Sequence, residues 1–354
     1  ASPSTTPPGK APSSPMVSPR DKRMLMADIA RLAGVSTSTV SRALSGNPLI
    51  RPETRERIAE LARSMNYQIN VGAANLRKRD VQTVAVAVMG DSLQMISDPF
   101  ILSLVGHIAD ELDQRGMSLL LSRVTVERQH MLATLVESGQ VAGLLVVGQM
   151  TCHDYLNELA SRGIPMVVWG AGLPDTRYAI VGGDNEQGGY LATRHLLEQG
   201  CQEIAFLGDV THPEVMLRHD GYARALAERG LRPDPLIYKP ILFQDSELRR
   251  AIGDWVAQGI RFDGVFATSD VAAMSVIAAV SERGMQVPRD VKVVGYDDVA
   301  MSAHLHPSIT SVRQPTELAA STMVRMLFEL LAEEHPGAVV LPAQLIQRDS
   351  SMRL

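Results

Sequence analysis

Apolar residues between Met26 and Met65 recur at helical spacing. Ile29, Leu32 and Ala33 form one face of a predicted helix over Met26–Ala33, and Gly34 marks a turn. Ser36 has the chemistry of an N-cap for a second helix running to Leu44, with Val40 and Leu44 facing inward. Asn47 and Pro48 make a loop, and Pro52 opens a third helix in which Ile58, Leu61, Ala62 and Met65 share a face. After Asp80 the pattern changes. Apolar runs of strand length, Thr83–Met89, Ser118–Leu121, Gly143–Val147, Met166–Trp169, Ile204–Leu207, Gly264–Ala267 and Val291–Gly295, alternate with helical stretches such as Phe100–Gln114, Gln187–Glu198 and Val271–Arg283. That alternation predicts parallel sheets with helices on both faces, which take ligands at the carboxyl ends of their strands. The stretch after Asp80 is long enough for two such lobes with a cleft between them.

The net charge of −5 is unfavourable for a chain that binds nucleic acid, but its distribution reverses that reading. Between Arg20 and Asp80 there are 12 Lys and Arg against 6 Asp and Glu, whereas residues 81–354 hold 21 against 33. A basic head on an acidic body suits a small phosphate-contacting module.

The predicted second helix reads Val35-Ser36-Thr37-Ser38-Thr39-Val40-Ser41-Arg42-Ala43-Leu44. A helix that reads the major groove needs an apolar inner face and short polar or basic groups at its outer amino-terminal end. Thr37, Ser38 and Arg42 point outward. An arginine can hold both O6 and N7 of guanine, worth about 1–3 kcal/mol of discrimination, and short hydroxyls reach thymine methyls or base edges. Ser36 and Thr39 suit phosphates, which position without specifying.

Met26-Ala27-Asp28-Ile29-Ala30-Arg31-Leu32-Ala33-Gly34-Val35-Ser36, followed by Thr39-Val40-Ser41-Arg42, resembles the headpiece of the lactose repressor family. The likeness continues through Thr54-Arg55-Glu56-Arg57-Ile58 and Met65-Asn66-Tyr67. It implies a sequence-specific transcriptional regulator, a repressor of a carbohydrate-utilisation operon, in which Thr37, Ser38 and Arg42 read bases and Ser36, Thr39, Asn70 and Arg77 hold the DNA backbone. Arg51 departs from the pattern, standing where the family has a capping Ser or Thr, at a cost of about 1 kcal/mol. Asn70–Arg77 resembles the family's hinge helix, two of which pair across a dimer. Leu76 is then the wedge pushed into the minor groove, and Ala73 and Ala74 are small enough for close approach. Gly72 lowers helix propensity by about 1 kcal/mol, so this helix is expected to form only on DNA.

Later motifs extend the resemblance to nearly the whole chain from residue 24. Val181-Gly182-Gly183-Asp184-Asn185 with Gly188-Gly189, Leu217-Arg218-His219-Asp220-Gly221-Tyr222, Ala267-Thr268-Ser269-Asp270, Val294-Gly295-Tyr296-Asp297-Asp298 and Thr310-Ser311-Val312-Arg313-Gln314-Pro315 all carry it. Asp98-Pro99-Phe100 resembles the first-lobe element that lines the pocket. The implied fold is an all-α helix-turn-helix headpiece plus an α/β body, two doubly wound parallel-sheet lobes of the periplasmic-binding-protein-like type. The expected divisions are a disordered tail over 1–23, a headpiece over 24–69, a hinge helix and linker over 70–80, and an effector-binding and dimerisation domain over 81–354. Within the last, the first lobe is expected over about 81–182 and 313–338, the second over about 183–312 and 339–354. The implied small-molecule effector is a sugar, favoured because the polar pocket set suits hydroxyls, with a purine as the alternative. Arg218 and Asp297 are its strongest expected contacts, joined by Ser269, Asp270, Phe100, Gln314 and Trp169. Phe243 or Trp169 offers an aromatic plane for a sugar face.

A palindromic operator mirrors two-fold protein symmetry, so a homodimer is expected. No leucine heptad follows a final strand near Gln344–Gln347, which argues against a tetramer built that way. Ala1–Pro19 is rich in Pro, Ser and Thr without the apolar run of a secretory signal, and no stretch suits a membrane span, so a cytoplasmic location is expected. Cys152 and Cys201 have neither metal nor disulfide spacing and are expected as reduced, partly buried thiols. Nine scattered histidines, the absence of a Gly-x-Gly-x-x-Gly turn after the first strand and the absence of a Walker loop argue against an enzyme, a metal or a cofactor.

Overall fold

A computed structural model describes residues 26–44, 50–64, 81–90, 95–240 and 245–352. They belong to two compact units, one ending at Lys78 and the other beginning at Arg79. The tail, Met65, the hinge residues Asn70, Leu76 and Arg77, and Phe243 lie outside the described residues.

The first unit contains α1 (Met26–Ala33), α2 (Thr37–Leu44) and α3 (Pro52–Ser64). Its core is Ile29, Ala30, Ala33, Val40, Ala43, Ile58 and Ala62. Leu32, expected inward, is 55% exposed, and Ala30 takes its place. Both residues border the stripe centred on Ile29 and Ala33, and the small residue fits where the helices approach closely. The end of α1 follows from Gly34, whose φ of 64° closes the helix. The Gly34 amide donates to the Arg31 carbonyl and the Val35 amide to the Ala30 carbonyl, the paired bonds of a left-handed helix stop. Arg57 of α3 donates from Nη2 to the Ala33 carbonyl at 2.9 Å, tying two helices together. Ser36 caps α2: its Oγ accepts from the Thr39 amide at 3.2 Å and its carbonyl from the Val40 amide. Ser36→Ala is expected to cost about 1 kcal/mol locally, read as roughly fivefold faster amide exchange in α2.

The second unit holds two sheets. The first takes β1 (Thr83–Met89), β2 (Ser118–Val124), β3 (Gly143–Val147), β4 (Met166–Trp169), β5 (Ala179–Gly183) and β11 (Ala338–Leu341) in the order β11-β5-β4-β3-β1-β2, all parallel. The second takes β6 (Ile204–Leu207), β7 (Tyr238–Lys239), β8 (Gly264–Ala267), β9 (Lys292–Asp297), β10 (Thr310–Arg313) and β12 (Gln344–Ile346) in the order β12-β10-β9-β8-β6-β7, with β12 alone antiparallel. The first lobe's helices are α4 (Pro99–Asp113), α5 (Met131–Glu137), α6 (His153–Ser161) and α11 (Thr316–Leu331). Those of the second are α7 (Asn185–Glu198), α8 (Pro213–Ala227), α9 (Asp245–Ala257) and α10 (Asp270–Ser281). The inner strands of each sheet are buried on both faces and are near-continuous apolar runs, while β2, β7, β11 and β12 at the edges are partly exposed.

The chain passes between the lobes at Asp184, at Gln314-Pro315 and at Pro342-Ala343. The last passage corrects the boundary expected at 338. Ala338–Leu341 pairs with Ile180–Gly183 and so belongs to the first lobe. The first two crossings fall close to 182 and 313.

The last residues fasten the second sheet. Ser351 Oγ is 2.7 Å from His195 Nε2 and donates to Thr310 Oγ1, the Thr310 amide donates to Ser350 Oγ, and Ser350 Oγ donates to the Val293 carbonyl. Burial lowers the pKa of His195 from 6.5. Below 6.5 the unfolded chain takes up a proton that the folded one refuses, so this residue's contribution to stability is lost as pH falls. The melting temperature of His195→Gln is expected to drop less than that of the parent between about pH 7.5 and pH 5.5.

Candidate functional site

In the first unit, α2 presents Thr37, Ser38 and Arg42 on an exposed face while Val40 is fully buried beneath them. Thr39 is half-buried, and Ser36 Oγ lies 2.7 Å from Ser38 Oγ and 2.9 Å from Thr39 Oγ1. The hydroxyls thus form one bonded row at the amino end of the helix. The three residues expected to read bases share an outward surface.

In the second unit, the candidate site is the cleft at the carboxyl ends of the two sheets. Arg218 projects from α8 and is 8% exposed. Its Nε donates to Asn185 Oδ1 at 2.8 Å and its Nη1 to the Thr268 carbonyl at 2.6 Å, while the guanidinium lies over the Tyr296 ring, 3.6 Å from its centroid. These neutral partners fix the cation without neutralising it. Asp297 ends β9 and is 9% exposed. Gln314, in the second crossing, donates from Nε2 to Asp297 Oδ1 at 2.7 Å. Burial pushes the Asp297 carboxyl well above its ordinary value, and Arg218 pulls it back. Asp297 and Asp298 have φ of 103° and 54°. A non-glycine residue held there costs of order 1–3 kcal/mol. Asp298 is held in place by its amide, which donates to Ser311 Oγ, and by ion pairs with Arg313 Nε at 2.7 Å and Arg348 Nη2 at 2.6 Å.

Arg218, Asp297 and Gln314 are therefore brought together as expected, and the four other expected contacts, Asp270, Ser269, Phe100 and Trp169, are engaged elsewhere. Asp270 is fully buried: Oδ2 accepts from the Val299 amide and Ser302 Oγ, and Oδ1 from Ser311 Oγ. It pins the turn after β9 to α10 and β10, and burial lifts its pKa to about 6. It has no face left for an effector. Ser269 caps α10, its Oγ accepting from the Ala272 amide at 3.1 Å. Phe100 and Trp169 pack on each other in the first-lobe core with ring centroids 5.9 Å apart, leaving little ring surface for a ligand.

Asp98, expected at the pocket as part of Asp98-Pro99-Phe100, is joined at the cleft by Glu214 and Tyr178, which the sequence did not single out. Asp98 is buried and caps α4, accepting from the Phe100 and Ile101 amides, and its charge acts on Asp297 from the opposite lobe. Glu214, in the first turn of α8, lies near enough to Arg218 and to Tyr178 of the first lobe for its charge to act on both. Tyr178 Oη in turn accepts from Gln149 Nε2 at 2.6 Å and is 2.8 Å from His153 Nδ1. The Asp-Pro pair before a helical pattern carries a capping signal that identifies Asp98. Glu214 has no such signal. A groove of about 590 Å³, lined by His107, Glu111, Asp298, Arg313, Gln314 and the first turn of α11, meets the site at Gln314 and includes neither Arg218 nor Asp297.

Cys152 and Cys201 are buried free thiols, and burial lifts Cys201 to about 12, far from the reactive range. Among the described residues no three His, Cys, Asp or Glu are grouped to hold a metal, and no helix is long and apolar enough to cross a membrane.

Residues 25–70 match the model of bacterial regulatory proteins of the lacI family, and residues 193–351 that of a periplasmic binding protein-like domain. The HTH-type transcriptional regulator CelR of Thermobifida fusca is 31% identical over 94% of this chain and 99% of its own length. The HTH-type transcriptional repressor PurR of Erwinia tasmaniensis is 31% identical over 91% of this chain and 95% of its own. Among solved structures, a CelR–cellobiose complex superposes with a TM-score of 0.69 at 29% identity, over 93% of this chain and all of the other. The lac repressor dimer bound to operator and the anti-inducer ONPF superposes with a TM-score of 0.79 at 25% identity, over 94% of this chain and all of the other. With a helix-turn-helix head, a two-lobed body and these relatives across nearly its full length, the chain is a transcriptional regulator and not an enzyme, and it belongs to the lacI family.

Proposed function

We propose that the protein is a cytoplasmic homodimeric repressor that binds a palindromic operator and is switched by a sugar held between its lobes. The observation that carries this reading is the convergence of Arg218, Asp297 and Gln314. One cation, one carboxylate and one amide from three different elements meet at the cleft, and Gln314 lies in a passage between the lobes. A ligand that bonds Asp297 therefore acts on a residue whose partner lies where the lobes pivot. In this reading Thr37, Ser38 and Arg42 read base edges, Ser36 and Thr39 contact phosphates with Asn70 and Arg77, and Leu76 wedges the minor groove. The sugar class is supported by donors and acceptors suited to hydroxyls and by the cellobiose complex of the CelR relative.

The test is a gel-shift titration on a palindromic duplex, with and without candidate sugars and purines. Operator affinity is expected to fall steeply with salt and to change with one ligand; an affinity unchanged by every ligand sinks the switch. Arg42→Ala is expected to lose about 1–3 kcal/mol of discrimination at one base pair, seen as binding that falls less when that pair is mutated. Equal losses on all sequences would make Arg42 a phosphate contact instead.

A further inference from the structure

We infer that the cleft selects its effector by charge, taking an uncharged or cationic molecule rich in hydrogen-bond donors and rejecting anions such as sugar phosphates and sugar acids. The inference rests on the effector reading above and deepens it. In a doubly wound lobe the ready anion sites are helix amino termini, where free amides and the helix dipole face the strand ends. Here three of those termini, at α4, α7 and α10, are capped by the chain's own side-chain oxygens and a fourth, at α8, carries a carboxylate, while α6 and α11 have no side-chain cap. Asp98 accepts from the Phe100 amide at 2.9 Å and the Ile101 amide at 3.2 Å ahead of α4. Asp184 accepts from the Gln187 amide at 3.0 Å ahead of α7, and Ser269 does the same for Ala272 at α10, with the buried Asp270 next to it. The first turn of α8 carries Glu214.

The cations leave no better opening. Arg313 and Arg348 are both paired with Asp298. Arg218 faces the cleft with a charge balanced by no bonded carboxylate, yet it acts on Glu214 and Asp297 together. An anion placed on it meets both. Asp98 acts on Asp297 from the opposite lobe and raises the cost of its charge. Only Oδ1 of Asp297 is bonded; among the described residues Oδ2 accepts nothing, although the residue is 9% exposed. A carboxylate oxygen left open to the cleft in that position takes a hydroxyl or an ammonium, and repels a phosphate.

Calorimetric titration of the full chain tests this with matched probes: glucose, cellobiose and glucosamine against glucose phosphate, gluconate and cellobionate, and hypoxanthine against inosine monophosphate. Every probe that binds is expected to be uncharged or an amine, with its anionic counterpart weaker by about tenfold or more. The double variant Asp98→Asn, Glu214→Gln is expected to narrow that gap to about threefold, since Asn still caps α4. An anion that binds as tightly as its uncharged parent overturns the inference, as does a gap that the double variant leaves unchanged. If hypoxanthine binds, inosine monophosphate does not and all sugars are silent, the sugar reading falls and the charge rule stands. Silence from both sets overturns both.

Discussion

Gly221→Ala is expected to cost about 3 kcal/mol or more and to lower the melting temperature by roughly 6–12 °C. A methyl group built on Gly221 would fall inside van der Waals contact of the Glu186 carbonyl oxygen and the Tyr190 amide of α7. One on Gly189 would strike the Arg218 carbonyl of α8. The two helices thus touch backbone to backbone at reciprocal glycines, and no side chain can swing aside to make room. The contact also places Asn185 of α7 against Arg218 of α8, so displacing one helix misdirects the guanidinium. Gly106→Ala is the control. It lies in α4 with no atom near the added methyl and should be neutral or stabilising by up to about 1 kcal/mol. If Gly221→Ala melts with Gly106→Ala, the close packing is not what holds α7 and α8 together.

Arg218→Met is expected to weaken effector binding by about a hundredfold or more and to abolish the effect of that ligand on operator affinity. Methionine keeps much of the apolar stem over Tyr296 but removes the donors to Asn185 and Thr268 and the charge that lowers the Asp297 carboxyl. Arg218→Lys should not rescue it, because an ammonium cannot hold two acceptors in that fork and stack at once. Operator binding without effector should persist, since the reading face of α2 belongs to the other unit. Calorimetry and gel shift together check this. A Met variant that keeps the ligand response would remove Arg218 from the site.

The fold was legible where a pattern is local. The alternation after Asp80 placed seven of the twelve described strands near their observed bounds, because inner strands buried on both faces are continuous apolar runs. It gave less for α5, only 7 residues long, for α6 and α9, where charged faces dilute the helical stripe, and for β7, two residues long at a sheet edge. β11 was assigned to the wrong lobe because Val339-Val340-Leu341 reads as a strand without naming its partner. At the site, resemblance located Arg218, Asp297 and Gln314. It also offered Asp270 and Ser269, whose residue types suit a ligand as well as they suit a cap or a pin. Only the partners at Val299, Ser302, Ser311 and Ala272 distinguish the roles, and those lie up to 41 residues away in the chain. Glu214 was missed because nothing nearby in sequence indicates that its helix opens on the cleft.

The passages between the lobes also constrain when the molecule can take shape. β11 closes one edge of the first sheet and β12 one edge of the second, and both come from residues 338–346. On a translating ribosome adding about 5–20 residues per second, the head has all its partners as soon as α3 emerges. Each sheet must wait for its last strand until residues 338–346 have been made. The nascent protein can therefore search DNA before its sensor exists, and the two sheets share one late, simultaneous moment of completion.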